Sequence, residues 1–243
     1  MNTIVENLAY IHSHIKAVCK SSGRDESDVR LLLATKTVTP DKIKIALDCG
    51  ESLIGENKIQ ELRDKDPELR DCSVERHFIG HLQTNKIKDV LKYASCIQSV
   101  DRLDLAQKLD QRLQYEGRSM DILVQVNTSF EDSKFGVAPD EAIALIKNIA
   151  QYDTLNIKGL MTIGILSSDN ESVRKCFRLL KAIQQQTISQ NIDNVDMDVL
   201  SMGMSGDFEA AIEEGSTMLR VGTSVFGSRI YPDSFYWNEQ IGK

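Results

Sequence analysis

The sequence lacks the features that mark several classes of protein. No apolar run approaches the ~20 residues of a transmembrane helix, and the N-terminal stretch MNTIVENLAYIHSHIKAVCK carries a glutamate and two histidines where a signal peptide needs a continuous apolar core. The five cysteines are scattered and form no C-x-x-C pair, which argues against a structural zinc site and for free thiols in a reducing compartment. These absences predict a cytoplasmic protein with no membrane span.

Clustered positive charge and linker sequence are also scarce. The formal net charge is -7, and the short basic stretch NKIKDVLK is typical of a helix face, so we expect no nucleic-acid partner. The chain has only four prolines, no low-complexity segment and no Gly/Ser-rich linker. We therefore predict a single domain over residues 1–243, with its core at about residues 28–228.

Strand-sized apolar segments alternate with amphipathic helical segments along the chain. The predicted strands are 31–36, 52–57, 77–82, 96–100, 122–127, 157–163, 197–203 and 218–222. Alternation of this kind is typical of an α/β protein with a parallel sheet. Eight repeats predict a (β/α)8 TIM barrel with an extra N-terminal helix in the place of an eighth crossover helix; a doubly wound open sheet is the alternative. A short aromatic-bearing tail follows the last strand.

Polar residues follow the predicted strands at their carboxyl ends. In a (β/α)8 barrel these ends form the face that carries the active site. Lys36 closes the apolar run RLLLATK, and other strand ends deposit Asn57, His81 and Asn127, followed by the segments SMGMSGD and RVGTS. Because six strand ends agree in polarity, we predict a ligand pocket at this face.

Two of the strand ends have the composition of an anion-binding loop. The segment SMGMSGDFEAA leads two glycines and two serines directly into a predicted helix. In RVGTS, Gly222 permits close backbone approach, and Thr223 and Ser224 offer hydroxyl groups. Barrels commonly bind phosphate with the loops after strands seven and eight. For either loop alone, ordinary turn and cap residues are the alternative.

Lys36 has a chemical use beside such a loop. Burial disfavours the charged form of an amine, so its pKa falls and the nucleophilic form becomes populated near neutral pH. A neutral amine next to a phosphate site can form an imine with a phosphorylated carbonyl compound. Two ligands fit, a sugar phosphate, as in lysine-dependent aldolases, or pyridoxal 5'-phosphate. The alternative is a lysine that extends outward to pair with Glu56.

A series of motifs in this order resembles the pyridoxal phosphate homeostasis protein family. The matching segments are ATKT around Lys36, IGENKIQE (54–61), HFIGHLQTNK (77–86), SVDR (99–102), NTSFEDSKFG (127–136), GLMTIG (159–164) and SMGMSGDFEAAIEEGSTMLRVGTSVFG (201–227). The resemblance runs from about residue 5 to 230. It implies a single-domain barrel similar to the N-terminal domain of alanine racemase and to fold-type III decarboxylases. It also implies pyridoxal 5'-phosphate held as a Schiff base, and a role in intracellular homeostasis and delivery of this cofactor.

The resemblance also implies which residues bind the cofactor. It places the Schiff base on Lys36, the phosphate at Ser201, Gly222 and Thr223, the ring beside Asn57 and Met204, and the pyridine nitrogen opposite Arg220. A guanidinium only donates hydrogen bonds, so a pyridine nitrogen facing it stays unprotonated and the ring is a weaker electron sink. Strong carbanion chemistry is thereby disfavoured, whereas binding and imine exchange are unaffected.

The rival hypothesis is a racemase or decarboxylase that uses the same cofactor. Such an enzyme needs a second acid or base opposite the lysine, which in alanine racemase is a tyrosine from a second domain and a partner subunit. We expect no such domain in 243 residues, and none of the six tyrosines falls at a predicted strand end. We therefore expect a carrier without robust catalysis, with weak racemisation as a side reaction. We also expect transient contact with apo enzymes and a monomer or weak homodimer.

Three further residues have weaker predictions. His77 and His81 stand four residues apart on a predicted strand, about 13 Å, which is too far to share a metal ion. We expect His81 at the rim of the pocket and His77 in a structural role. Lys134, in the polar loop FEDSKFG, is predicted to capture the aldehyde briefly at the pocket mouth; a solvated loop lysine is the alternative.

Overall fold

A closed barrel of parallel strands forms the centre of the protein. The computed structural model describes residues 3–227. Its strands are β1 Arg30–Ala34, β2 Leu53–Glu56, β3 Glu75–Phe78, β4 Cys96–Val100, β5 Met120–Gln125, β6 Leu155–Met161, β7 Val195–Ser201 and β8 Met218–Val221. Each strand pairs with the next, and β8 closes the barrel on β1. The predicted (β/α)8 TIM barrel is confirmed, and the open-sheet alternative is wrong.

Helices cover the outside of the barrel. They are α1 Ile4–Ser21, α2 Pro40–Asp48, α3 Ile59–Leu69, α4 Ile87–Val90, α5 Leu103–Glu116, α6 Ala142–Ile149, α7 Asn170–Ser189, α8 Phe208–Glu213 and α9 Thr223–Phe226. Helix α1 begins with a capping box between Thr3 and Glu6 and buries one face at helical spacing, from Leu8 to Cys19. It packs against α2, α8 and α9, and so covers the side of the barrel where the sequence predicted the extra helix.

Side chains of the strands alternate between the barrel interior and the helix layer. Leu32, Leu53 and Met218 cluster inside the barrel, whereas Leu33 and Ile54 pack toward the helices. Ala34 lies opposite Gly55 in the pairing of β1 with β2. The inward row of β1 therefore runs through Leu32 and Ala34, and its next position is Lys36.

The third strand is shorter than the sequence indicates. Its predicted range of 77–82 is partly wrong, since β3 ends at Phe78. Ile79 still donates its N–H to Glu56 O at 2.9 Å, but the chain then passes Asn57 at Gly80. A Cβ at Gly80 would lie 2.0 Å from Asn57 O, so only a glycine fits this crossing. Here the backbone leaves the sheet and enters the loop at the carboxyl face.

The aromatic-bearing tail predicted after the eighth strand, residues 230–240, lies outside the described residues. Between residues 3 and 227, no helix combines the length and the apolar character needed to cross a lipid bilayer.

Candidate functional site

Lys36 lies in a tight turn at the carboxyl end of β1. The residue is 8% exposed. Before it, Thr35 donates its N–H to Gly55 O of β2 at 3.0 Å. Val38 donates its N–H to Thr35 O at 2.9 Å, which closes the turn. After it, Thr37 has a φ of +64°, a conformation that β-branched residues rarely adopt. The turn therefore holds Lys36 at the barrel mouth, in line with the inward row of β1.

A buried ionic cluster supports this turn from the helix layer. We call Thr35, Glu56, Glu61 and Lys65 the lysine-turn cluster. Lys65 Nζ donates to Thr35 O at 2.8 Å, to Glu56 Oε1 at 2.6 Å and to Glu61 Oε2 at 2.7 Å, and Thr35 Oγ1 donates to Glu56 Oε1 at 2.6 Å. Glu56 accepts these bonds through Oε1, and its Oε2 is buried without a hydrogen-bond partner among residues 3–227. Burial raises the pKa of Glu56 to about 7, against the opposing attraction of Lys65.

Raising the pH from about 5 to about 8 is expected to lower the free energy of unfolding through Glu56. The folded pKa of about 7 lies above the ordinary value of 4.5, so its stabilising contribution is complete below pH 4.5 and is lost as the pH rises through 7. The difference corresponds to a loss on the order of 3 kcal/mol. Urea unfolding at several pH values measures it.

The matched variant for this prediction is Glu56→Gln, which cannot titrate. Its free energy of unfolding should fall less steeply over the same pH range. His12, whose pKa is raised by a hydrogen bond to Glu51, titrates in both proteins, so its contribution cancels in the comparison. Equal slopes for the two proteins would contradict the assignment to Glu56.

Arg220 belongs to a chain of buried hydrogen bonds inside the barrel. Its Nη1 donates to Ser201 Oγ at 2.7 Å, and its Nη2 donates to Thr162 O at 2.6 Å. Ser201 Oγ donates in turn to Gln98 Oε1 at 2.7 Å, and Gln98 Nε2 lies 2.7 Å from His77 Nδ1. Burial lowers the pKa of Arg220 to about 10, which leaves the guanidinium charged at neutral pH. Its partners place this fixed cation inside the barrel, beside the carboxyl ends of β6 and β7.

The loops after β7 and β8 converge on Ser205. Its Oγ lies 3.4 Å from the N–H nitrogen of Gly222, 3.3 Å from that of Ser224 and 3.2 Å from Thr223 Oγ1. A Cβ at Gly222 would lie 2.8 Å from Ala34 O, so glycine is needed where β8 passes β1. Two backbone N–H groups and the hydroxyl of Thr223 thus surround the hydroxyl of Ser205, and donors grouped in this way suit a phosphate group. We call these four residues the anion cradle.

The structure assembles the predicted residues in two groups and also brings in Ser205. Ser201 and Arg220 are in direct contact within the barrel, whereas Gly222 and Thr223 meet Ser205 at the mouth. The sequence prediction counted both serines of this loop as anion-binding and, from the family resemblance, assigned the phosphate to Ser201, Gly222 and Thr223. The segment SMGMSGD offers both, and the second serine stands nearer the start of α8, which was the available signal.

Asn57 and Met204 lie in the segments that follow β2 and β7 at the carboxyl face. Asn57 follows β2 directly, one position beyond Glu56, and its Nδ2 is buried without a hydrogen-bond partner among residues 3–227. A buried unsatisfied amide usually has a functional reason, and a ligand in the mouth would provide its acceptor. Met204, half-buried in the loop after β7, donates its N–H to Asp207 Oδ1 at 2.5 Å. Both placements fit a flat ring held above the barrel.

Side chains at the rim are partly ordered by contacts between loops. The imidazole of His81 stacks on Phe135, with ring centroids 3.7 Å apart. Lys134 Nζ donates to Gly164 O at 2.6 Å and pairs with Glu131, so it joins the loops after β5 and β6 rather than standing free in solvent. His77 is buried beneath, between Glu75 and Gln98. Within the described part of the chain, no cluster of His, Cys, Asp or Glu could hold a metal ion.

The fold and the site together define a class, the lysine-bearing barrel of the alanine racemase type. Residues 8–230 match the family model described as alanine racemase, N-terminal domain. The chain belongs, within that class, to the pyridoxal phosphate homeostasis protein family. It is 39% identical over 226 residues to the family member of Aquifex aeolicus, covering 93% of this chain and 98% of the relative. It is 36% identical over 234 residues to that of Escherichia coli, covering 95% and 99%.

Solved structures agree with this assignment. PipY of Synechococcus elongatus, determined with pyridoxal phosphate bound, superimposes with a TM-score of 0.82 at 30% identity, covering 93% of this chain and all of PipY. An alanine racemase of Clostridium difficile superimposes with a TM-score of 0.72 at 15% identity, covering 94% of this chain but 58% of the racemase. The second likeness concerns the barrel fold alone.

Proposed function

We propose that the protein binds pyridoxal 5'-phosphate at the carboxyl face of the barrel, covalently on Lys36, and serves the intracellular supply of this cofactor. The observation that carries this proposal is that a buried lysine and an anion cradle follow strands at the carboxyl face of a barrel that holds a fixed guanidinium in its interior. The homeostasis proteins of similar sequence and the cofactor-bound structure of PipY support it.

The proposed roles follow from the chemistry of each group. When bound, the cofactor supplies an aldehyde that an uncharged amine can attack. Lys36 provides the amine, and Gly222 and Thr223, together with Ser205, bind the phosphate. Asn57 and Met204 contact the ring. Arg220, itself held by Ser201, faces the ring nitrogen and keeps it unprotonated.

We propose a carrier without robust catalytic turnover. The guanidinium of Arg220 disfavours the carbanion chemistry of a racemase or decarboxylase. The four tyrosines that the structure describes lie in the outer layer: Tyr10 and Tyr115 are exposed, and Tyr93 and Tyr152 pack against the helix-facing core. Incubation of the loaded protein with single amino-acid enantiomers measures turnover, and robust racemisation of one substrate would favour an enzyme instead.

Covalent trapping tests the central claim. The purified protein is loaded with pyridoxal 5'-phosphate, examined for visible absorbance, reduced with borohydride and digested for peptide mapping. We expect one main mass increase, on the peptide that carries Lys36. Absence of an adduct, or a main adduct on a different peptide, would overturn the proposal.

The proposal extends to how the barrel works in the cell. We propose that it acts as a single cytoplasmic domain, as a monomer or weak homodimer, and passes the cofactor to apo enzymes in transient encounters. Mixing the loaded protein with an apo enzyme that uses the same cofactor should restore activity at a rate set by the concentration of both proteins. A rate that depends only on spontaneous release would contradict direct transfer.

Ser205→Ala is expected to weaken the affinity for pyridoxal 5'-phosphate by about 10-fold, because one hydrogen bond to a charged group is lost. Fluorescence titration measures the dissociation constants. The matched control is pyridoxal, which has the same aldehyde and ring but no phosphate, and its affinity should be unchanged. An equal loss for both ligands would show that Ser205 does not bind the phosphate.

A further inference from the structure

Lys65 is buried at a position where stability alone explains it poorly. Its side chain is 11% exposed, and it lies against Glu56, whose side chain is 1% exposed. Removing two charges from water is costly, and apolar residues of similar volume often stabilise a protein as well as a buried ion pair does. Lysine is also among the residues least often buried. Burial of the lysine-turn cluster therefore costs folding free energy, and its hydrogen bonds indicate a role other than stability.

Lys65 uses all three of its N–H donors, one on the turn that contains Lys36 and two on carboxylates that themselves bond to that turn. An ammonium group has three N–H donors, and each of them finds an acceptor, in Thr35 O, Glu56 Oε1 and Glu61 Oε2. The first acceptor belongs to the peptide group that precedes Lys36. The third acceptor, Glu61 Oε2, also accepts the N–H of Thr37 at 2.6 Å and so links Lys65 to the residue after Lys36.

The two peptide groups that flank Lys36 are thus tied to one ammonium. Thr35 O belongs to the peptide bond before Lys36, and the N–H of Thr37 belongs to the one after it. Together these two peptide planes set the backbone angles of Lys36 and the direction in which its side chain leaves the chain. Thr37, at a φ of +64°, is in an unfavourable conformation that its surroundings must maintain. Its bond to Glu61 is a contact that does so.

We propose that Lys65 is a positioning residue for Lys36. By holding the peptide groups on both sides, it directs the amine of Lys36 into the barrel mouth in a single orientation. The reacting atoms of a covalent step must meet within a few tenths of an ångström of the productive geometry, so a loosened turn slows the attack. The inference rests on the proposed function, because it concerns the condensation of that amine with an aldehyde, in which nitrogen bonds to the aldehyde carbon and the aldehyde oxygen leaves as water.

The variant Lys65→Met tests this role with two ligands. Pyridoxal 5'-phosphate can react with Lys36, whereas pyridoxine 5'-phosphate has an alcohol in place of the aldehyde and binds only non-covalently. We expect the rate of adduct formation, followed by absorbance after rapid mixing and confirmed by borohydride trapping, to fall about 10-fold or more. The dissociation constant for pyridoxine 5'-phosphate should stay within about 2-fold, since Lys65 does not contact the anion cradle.

A second variant covers the case in which Lys65→Met fails to fold. Glu61→Ala leaves the bonds of Lys65 to Glu56 and to Thr35 O in place. It removes the carboxylate oxygen that accepts from both Lys65 Nζ and the Thr37 N–H, on a side chain that is partly accessible to solvent. It should slow adduct formation several-fold. The matched control is Glu68→Ala on the same helix, whose carboxylate pairs with Lys44 at the surface, and this variant should react at the wild-type rate.

The outcomes separate the two proposals. If the wild-type protein forms the adduct on Lys36 but Lys65→Met or Glu61→Ala forms it equally fast, the positioning role is overturned. In a folded variant, the affinity for pyridoxine 5'-phosphate could fall by as large a factor as the rate of adduct formation with pyridoxal 5'-phosphate. That result would indicate a merely structural role for Lys65 and would also overturn the positioning role. If the wild-type protein forms no adduct on Lys36, the proposed function itself fails, and the positioning role loses its basis.

Discussion

Lys36→Ala is expected to lower the affinity for pyridoxal 5'-phosphate at least ~100-fold and to remove the borohydride-stable adduct from the peptide that carries position 36. The reason is that a covalent bond to the amine is lost, while the contacts at the anion cradle and at Arg220 remain. Titration by absorbance gives the affinity, and mass spectrometry of the reduced protein gives the site.

Two further variants sharpen this result. Lys36→Arg retains a cation in the turn but offers no amine, so it should bind the cofactor non-covalently and give no adduct at this position. Lys42→Ala, on the exposed surface of α2, changes a lysine near the same strand and should behave as wild type. An undiminished affinity in Lys36→Ala would show that this lysine does not anchor the cofactor.

Much of the barrel is predictable because its signals are local. The hydrophobic pattern of each buried strand and of each amphipathic helix is detectable within about a dozen residues. The alternation of strands and helices is then compatible with only a few parallel-sheet folds. The predicted strand 96–100 agrees with β4, and the predicted helix before β1 corresponds to α1. The errors fall at the carboxyl ends: every predicted strand except 96–100 runs past the end of the observed strand, and the prediction 77–82 does so by the most. Extended backbone continues into the loops there, and only the pairing of neighbouring strands shows where the sheet stops.

The site was predictable only as far as residue type and strand end determine it. Lys36 and Gly222 lie at the mouth because they follow β1 and β8, which the pattern located. The choice between Ser201 and Ser205 depends on which way each side chain faces, and a local pattern does not show this. The partnership of Lys65 with Glu56 and Thr35 is a tertiary contact of a helix with a strand and a turn, and no periodicity in the sequence signals it.

Gly80→Ala is expected to destabilise the protein by about 3 kcal/mol or more and to weaken cofactor binding at the same time. The added Cβ would lie 2.0 Å from the carbonyl oxygen of Asn57 and 2.8 Å from its Cα, so backbone has to move. The movement would displace Asn57, which we propose contacts the cofactor ring and whose buried Nδ2 has no hydrogen-bond partner among residues 3–227. Urea unfolding measures the first effect, and titration with pyridoxal 5'-phosphate measures the second.

The control for this substitution lies in the same face of the barrel. Gly206, in the loop between β7 and α8, has nothing within 4 Å of an added Cβ, so Gly206→Ala should change the free energy of unfolding by no more than about 0.5 kcal/mol. Both variants add one methyl group to a loop at the mouth, and they differ in whether backbone occupies the space. If Gly80→Ala were as stable as Gly206→Ala, the loop after β3 would not pack against Asn57 as closely as the structure shows. The glycine of HFIGHL would then have no steric role in setting the position of Asn57.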